Sequence, residues 1–352
     1  MSRLTYTHSA PFRLENGSIL PKLEIAYQTW GTLNADKSNV VWVCHALTAN
    51  ADVVDWWPGL VGDGCLFNPS EHFIVCANVL GSCYGSTNSL SINPETNEPY
   101  YHDFPHITIR DIVSSLDLLR QHLEIEQIYT LIGGSLGGQQ ALEWAISKPT
   151  LIQHLIPLAT NAYHSAWGIA FNESQRLAIA ADATWQEKTP TAGINGLKAA
   201  RAVAMLSYRN YQTYHFTQSE PNTDKVNDFL AASYQDYQGE KLTTRFDAFA
   251  YFTLSKAMDS HQLGRDRGSV TEALAQIQAK TLVIGVTSDI LFPLREQIFL
   301  AEHIPSADFV TINSTYGHDG FLIETQQIAK RIQTFFDAQE QAEPVYARVS
   351  SL

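Results

Sequence analysis

The chain has 352 residues, 45% hydrophobic and 17% charged, enough to bury a sizeable core in one large α/β domain with an insertion or in two domains. This composition excludes a disordered chain. A formal net charge of -13 argues against nucleic acid and against an anionic membrane surface as partners, because both select for basic patches; a polyanionic small substrate would need arginines placed locally.

The opening MSRLTYTHSAPFR carries no apolar targeting segment, and no apolar run approaches the length of a membrane span, so a soluble cytoplasmic protein is expected. Short, nearly continuous Val/Ile/Leu segments then recur, bounded by Gly, Pro or Asn: residues 39–47, 72–81, 127–134, 151–160, 280–289 and 308–313. They read as strands buried on both faces of a mostly parallel sheet. Helical patterns separate several of them. Residues 107–123 open with Thr108 and Asp111 in capping-box spacing and carry Ile112, Val113, Leu116 and Leu119 on one stripe; residues 137–149 and 293–305 read the same way. Strand then helix, repeated, predicts a doubly wound α/β sheet.

Between 163 and 269 the rhythm breaks into helical segments without a strand of comparable quality, which predicts a helical lid inserted into the sheet domain. The core is then 1–162 with 270–340, and the stretch 341–352 reads as a frayed tail. Cys44, Cys65, Cys76 and Cys83 lack paired C-x-x-C spacing, so they read as buried thiols, and no metal site or disulfide framework is expected.

Gly133-Gly134-Ser135-Leu136-Gly137 fits G-x-S-x-G between a predicted strand and a predicted helix. A glycine-rich turn around a serine is often only a tight connection. Here, however, partners follow in the order used by α/β-hydrolases: Asp289 ends a later strand, and His318 follows the last one. The hydroxyl needs a base and the base needs an orienting carboxylate, so Ser135, His318 and Asp289 are the expected triad. Asp319 is a second candidate orienter, though adjacent side chains usually diverge, and His45 is the other histidine expected near the site. The oxyanion donors are expected from the backbone N–H groups of Leu136 and, in the loop HALTAN, Leu47. In GLKAARAVAMLSYR, Arg201 shares a stripe with Leu197, Met205 and Tyr208. An arginine snorkelling or paired to a structural acid fits that position, and so does a lid guanidinium that grips a substrate carboxylate.

At these motifs the sequence resembles the homoserine O-acetyltransferase family, α/β-hydrolase-fold acyltransferases. The likeness runs from about residue 10 to 335 and is carried by CHALTANADVVDWWPGLVG, ANVLGSCYGSTNSLSINPETNEPY, HDFPHITIRDIV, GGSLGGQQALEWA, ARAVAMLSYR, SDILFP and GHDGFL. It implies a ping-pong transfer in which Ser135 takes an acetyl group from acetyl-CoA, a co-substrate rather than a resident cofactor, and passes it to the hydroxyl of L-homoserine for methionine biosynthesis. His318 would act as base and Asp289 would orient it; Arg201 and Tyr208 would hold the amino-acid carboxylate and Asp319 its ammonium. A homodimer through 163–269 is expected. Phe249 and Ala250 stand where relatives usually carry a small polar pair or Tyr-Ser, Asn88 replaces a common glycine, and Gln139 stands where methionine is frequent. These positions are expected near the acyl or acceptor pocket and so bear on substrate choice. Homoserine succinyltransferases, serine acyltransferases and triad esterases or thioesterases are the alternatives. In GRDRG (264–268), Arg265 and Arg267 offer a small basic cluster for CoA phosphates, or a solvated turn.

Overall fold

A computed structural model describes residues 3–342 of the chain. The chain starts in β1 (Leu4–His8), passes through a short hairpin of β2 (Phe12–Arg13) and β3 (Ile19–Leu20), and enters β4 (Leu23–Trp30) and β5 (Val40–Cys44). After one helical turn, α1 (Val53–Trp56), come β6 (Phe73–Ala77), α2 (Ile109–His122), β7 (Ile128–Gly134), α3 (Leu136–Ser147) and β8 (Ile152–Leu158). Among the described residues these strands join β9 (Lys280–Val286) and β10 (Asp308–Ile312) in one eight-stranded sheet of order β1-β4-β6-β5-β7-β8-β9-β10. Pairing is parallel from β6 through β10, and β4 runs antiparallel to both β1 and β6.

All six expected strands form, because each is apolar on both faces. In β5, Val40, Trp42 and Cys44 face one layer while Val41 and Val43 face the other. The first layer meets α2 and α3, where Trp42 and Trp144 pack edge to face at 5.0 Å between ring centroids. The second meets Trp57 and Ile328, Ile332, Phe335 and Phe336 of α12 (Thr325–Ala342). The Thr108–Asp111 capping box closes as its spacing predicts, with the Thr108 N–H donating to Asp111 Oδ2 at 2.8 Å.

The antiparallel β1 and β4 were not among the expected strands. LTYTH lies at the sheet edge with no fully buried residue, so it lacks the apolar run by which the central strands are read. Six helices stand between β8 and β9: α4 (Ala166–Ala180), α5 (Ile194–Tyr208), α6 (Tyr211–Gln218), α7 (Leu230–Thr243), α8 (Ala248–Asp259) and α9 (Val270–Leu274). Of these, α6 and α9 are too short to show a sequence period. Helix α4 starts before the expected Asn172, because Ser165 caps it by accepting from the Gly168 N–H. After β9 come α10 (Leu294–His303) and, past β10, the single turn α11 (Gly320–Ile323). Helix α12 includes residues 341–342, so that end of the expected tail is helical; residues 343–352 lie outside the described part.

Candidate active site

Strand β7 ends at Gly134 and α3 begins at Leu136, leaving Ser135 alone in the turn with φ 58° and ψ -124°. A non-glycine residue held there costs roughly 1–3 kcal/mol and persists only where its surroundings enforce it. The surroundings do so by close approach. A Cβ at Gly133 would strike the carbonyl of Gly137, and one at Gly137 would strike the Cys44 carbonyl at the end of β5. The Ser135 N–H donates to Leu158 O at 3.0 Å, and the Thr160 hydroxyl donates to Ser135 O at 2.9 Å, fixing the turn to β8.

His318 follows β10 in the short turn 317–319, and Asp289 follows β9. His318 Nδ1 and Asp289 Oδ2 lie 2.7 Å apart, with both side chains buried. The other carboxylate oxygen, Oδ1, accepts from the Leu291 and Phe292 N–H groups at 2.8 and 2.9 Å, so the carboxylate cannot swing. Phe292 stacks on the imidazole at 5.0 Å and Phe321 meets it at 5.2 Å. With Nδ1–H donated to Asp289, Nε2 is left as the acceptor a general base needs. Asp319, the other candidate orienter, is not bonded to the ring; its carboxylate pairs with Arg209 Nη1 at 2.9 Å.

Ser135 and His318 line one cavity of about 430 Å³. No hydrogen bond joins them there, a contact that commonly tightens only when substrate binds. Leu136, as the first residue of α3, has an N–H without an intrahelical acceptor, and Leu47 lines the same cavity from the loop after β5. His45 is not in the cavity. It is fully buried behind that loop, accepts from the Val79 N–H on Nε2 at 3.0 Å and donates from Nδ1 to Ala46 O at 2.8 Å. Burial pushes its pKa down to about 4, so it stays neutral and acts as a strut for the loop.

A family model described as the alpha/beta hydrolase fold matches residues 39–325. The homoserine O-acetyltransferase of Cyclobacterium marinum is 51% identical over 323 residues, covering 92% of each chain. The chain belongs to the homoserine O-acetyltransferase family. The crystal structure of the family's Bacillus anthracis member superposes with a TM-score of 0.88 at 23% identity, covering 95% of this chain and 97% of that one. That of esterase E22 superposes at 0.86 with 23% identity, covering 95% and 99%. At such identities the two superpositions speak to the fold alone.

In this family member the cavity also brings together Arg201 and Tyr208 of α5 and Asp319. The Arg201 guanidinium lies over the Tyr208 ring at 5.2 Å, and its Nη1 is buried with no hydrogen-bond partner. Arg201 is half-buried, and among the described residues no acid lies within ion-pair distance of it, so the structure gives it no structural salt bridge. Burial pushes the Asp319 carboxyl up, while Arg209, Arg201 and His318 pull it the other way. Burial also raises the Tyr208 phenol, keeping it a neutral donor.

Three positions around the cavity escaped the sequence reading. Arg209 ends α5 and holds Asp319, while Lys241 in the last turn of α7 and Arg245 just after it line the cavity. Only the tertiary fold brings them there, and no local pattern marks them.

Two of the other expectations, the basic cluster at 264–268 and the placement of the departing residues, are corrected. Arg265 is pinned by Glu15 at 2.9 Å and Arg267 by Glu143 at 2.7 Å, so neither is a solvated turn cation nor free for a phosphate. Asn88, Gln139, Phe249 and Ala250 do not line the Ser135 cavity. Phe249 instead packs on Trp185 and His102 beside a separate cavity of about 180 Å³, Gln139 donates to Asn161 behind α3, and Asn88 ties its own turn through Ser82 O and Ser86 O. Cys44 and Cys76 are buried, but Cys65 and Cys83 are only partly so, and all four are free. Among the described residues no helix is long and apolar enough to cross a membrane.

Proposed function

We propose that the chain transfers an acetyl group from acetyl-CoA to the hydroxyl of L-homoserine by a ping-pong route through an acetyl-Ser135 intermediate, supplying methionine biosynthesis in the cytoplasm. The observation that carries the reading is the unpartnered Arg201 guanidinium in the same cavity as Ser135, in a chain 51% identical to a protein named for this activity.

In the first half-reaction His318 Nε2 takes the Ser135 proton as Oγ attacks the thioester carbonyl. The charge that develops on the carbonyl oxygen falls to the Leu136 and Leu47 N–H groups, each worth about 3 kcal/mol. As the C–S bond breaks, the imidazolium returns its proton to the CoA thiolate. In the second half-reaction His318 takes the homoserine hydroxyl proton, the alkoxide attacks acetyl-Ser135, and Ser135 leaves with the proton returned by His318. Asp289 holds the imidazole and stabilises its charged form in both halves. Arg201 and Tyr208 hold the homoserine carboxylate. Asp319 takes the ammonium while remaining paired with Arg209, since one carboxylate has lone pairs for both. Residues 163–269, with helices α4 to α8, act as a lid over the acyl-enzyme and as the face of a homodimer, a role compatible with the exposed Leu206, Tyr211 and Phe216.

The test is CoA thiol release from acetyl-CoA and from succinyl-CoA, each with L-homoserine, with L-serine and without acceptor. Fast release that needs both acetyl-CoA and homoserine is expected. Equal release without acceptor makes the protein a thioesterase, and preference for succinyl-CoA or serine refutes the substrate assignment while leaving the triad in place.

A further inference from the structure

The cavity runs from buried chemistry to an exposed cationic edge. Ser135 and His318 are 5% and 3% exposed, whereas Lys241 and Arg245 are exposed on the α7 side. Among the described residues nothing neutralises these cations. Arg245 donates from Nη1 to two uncharged oxygens, Thr48 O and, at 2.7 Å, the Tyr84 hydroxyl, and among the described residues no carboxylate lies within ion-pair distance of it or of Lys241. Of the two acids lining the cavity, Asp319 is held by Arg209 and Asp55 is exposed. In a chain with net charge -13, two uncompensated cations at the mouth of a reactive-serine cavity are a local reversal of sign. Trp56, half buried and stacked on Trp57 at 5.1 Å, adds an aromatic wall to the same opening.

We propose that Lys241 and Arg245 form the phosphate-binding rim of the donor site, gripping the phosphates of an acyl-CoA whose pantetheine arm reaches down to Ser135. The assignment rests on the acetyl-CoA reading above and deepens it. It replaces the 264–268 cluster, whose arginines are spent on Glu15 and Glu143. The rim serves the donor rather than the acceptor, because homoserine carries one carboxylate, which Arg201 matches deeper in, whereas the nucleotide of CoA carries several negative charges that must stay near water. Lys241 supplies a mobile point charge from a helix end, and Arg245 a fork steadied by Thr48 and Tyr84.

The experiment compares acetyl-CoA with S-acetylpantetheine, which presents the same thioester without phosphates, using the full chain and L-homoserine. Lys241→Gln and Arg245→Gln should each raise KM for acetyl-CoA by about tenfold, the usual cost of one charge-assisted contact, with a much smaller rise for S-acetylpantetheine. KM for acetyl-CoA in the unmutated protein should climb with ionic strength and that for S-acetylpantetheine should not. Arg245→Lys should recover part of the loss. Equal rises for both donors, or none for acetyl-CoA, overturn the rim. Arg245 touches the loop that carries Leu47, so the decisive variant is Lys241→Gln, whose side chain is exposed. If the unmutated protein uses neither donor, the acetyl-CoA reading itself fails and the rim falls with it, an outcome seen before any variant is made.

Discussion

Replacing Asp289 by asparagine tests the catalytic assignment at its most constrained point. The substitution is nearly isosteric. The side-chain carbonyl of asparagine can still accept from the Leu291 and Phe292 N–H groups that Oδ1 now receives at 2.8 and 2.9 Å, so the loop after β9 keeps its shape. The amide NH2 then faces His318 Nδ1 where Oδ2 accepts at 2.7 Å. Two donors cannot share that line, so the imidazole must take the other tautomer, with its proton on Nε2 and no lone pair for Ser135. A base in the wrong tautomer, without a carboxylate to stabilise its charged form, should cost about 10⁴-fold in kcat, or about 5 kcal/mol. Stability should fall by only about 1–2 kcal/mol, because the three bonds to the carboxylate become neutral ones but all are still made. Asp289→Ala should lose as much activity but about 2–6 kcal/mol of stability, since it orphans two buried N–H groups. Thiol-release kinetics and urea unfolding measure the two effects separately. An Asp289→Asn protein within tenfold of the parent would refute Asp289 as the orienter.

Arg201→Leu should raise KM for L-homoserine by about 10–100-fold, the worth of a charge-assisted carboxylate contact, while the acetyl-CoA-dependent burst of thiol release survives. Its unfolding midpoint should not fall, because a buried unpaired nitrogen is removed; an unchanged KM would return Arg201 to a structural role. Asp247, which caps α8 by accepting from the Ala250 N–H at 2.7 Å, has its pKa pushed up to about 6 by burial. A raised carboxyl pKa means that the folded state holds its proton between about pH 4 and 6 while the unfolded state has lost it, so this group subtracts stability as pH rises through that window. Asp247→Asn, which keeps the cap, should therefore be more stable than the parent by about 3 kcal/mol above pH 6, with the difference gone below pH 4. Urea titrations at pH 4 and 7 giving equal differences would show that Asp247 is not held protonated.

The parts of this molecule that can be read from sequence are those whose physics is local. Strands buried on both faces announce themselves as apolar runs, which is why β5 to β10 are legible. Strand β1 is not, because an edge strand with one exposed side looks like loop. The elbow is legible because steric closeness forces glycine at 133 and 137, and the pairing of Asp289 with His318 because each follows a strand of the one sheet. The surroundings of the site are another matter. Arg209 and Asp319 are 110 positions apart in the numbering and meet because α5 ends against Gly317, where a Cβ would strike the Arg209 backbone. Departures such as Phe249 and Gln139 are misplaced for the same reason: sequence shows that they differ, but only packing shows that they face away from Ser135.

A fold shared with esterase E22 and with homoserine O-acetyltransferases cannot by itself separate hydrolysis from transfer. Both chemistries need the elbow, the oxyanion donors and a carboxylate-oriented histidine, and both proceed through an acyl-serine. They part only in what attacks that intermediate. Water needs no holding, and a hydrolase gains nothing from a half-buried guanidinium with one buried, empty donor nitrogen, a cost in the unliganded protein. A transferase must bring a scarce amino acid into competition with abundant water, and it can do so only by holding the acceptor where its hydroxyl reaches the acyl carbon ahead of any solvent molecule. Arg201 has the properties that task requires. It is unpaired while the site is empty, it sits in the Ser135 cavity, and it lies above Tyr208 on a helix whose C-terminal end is tied through Arg209 and Asp319 to the residue beside His318. Under the proposed ping-pong route, a carboxylate arriving at that nitrogen would recover the cost of keeping it unsatisfied, which would favour a zwitterion over water in the second half-reaction.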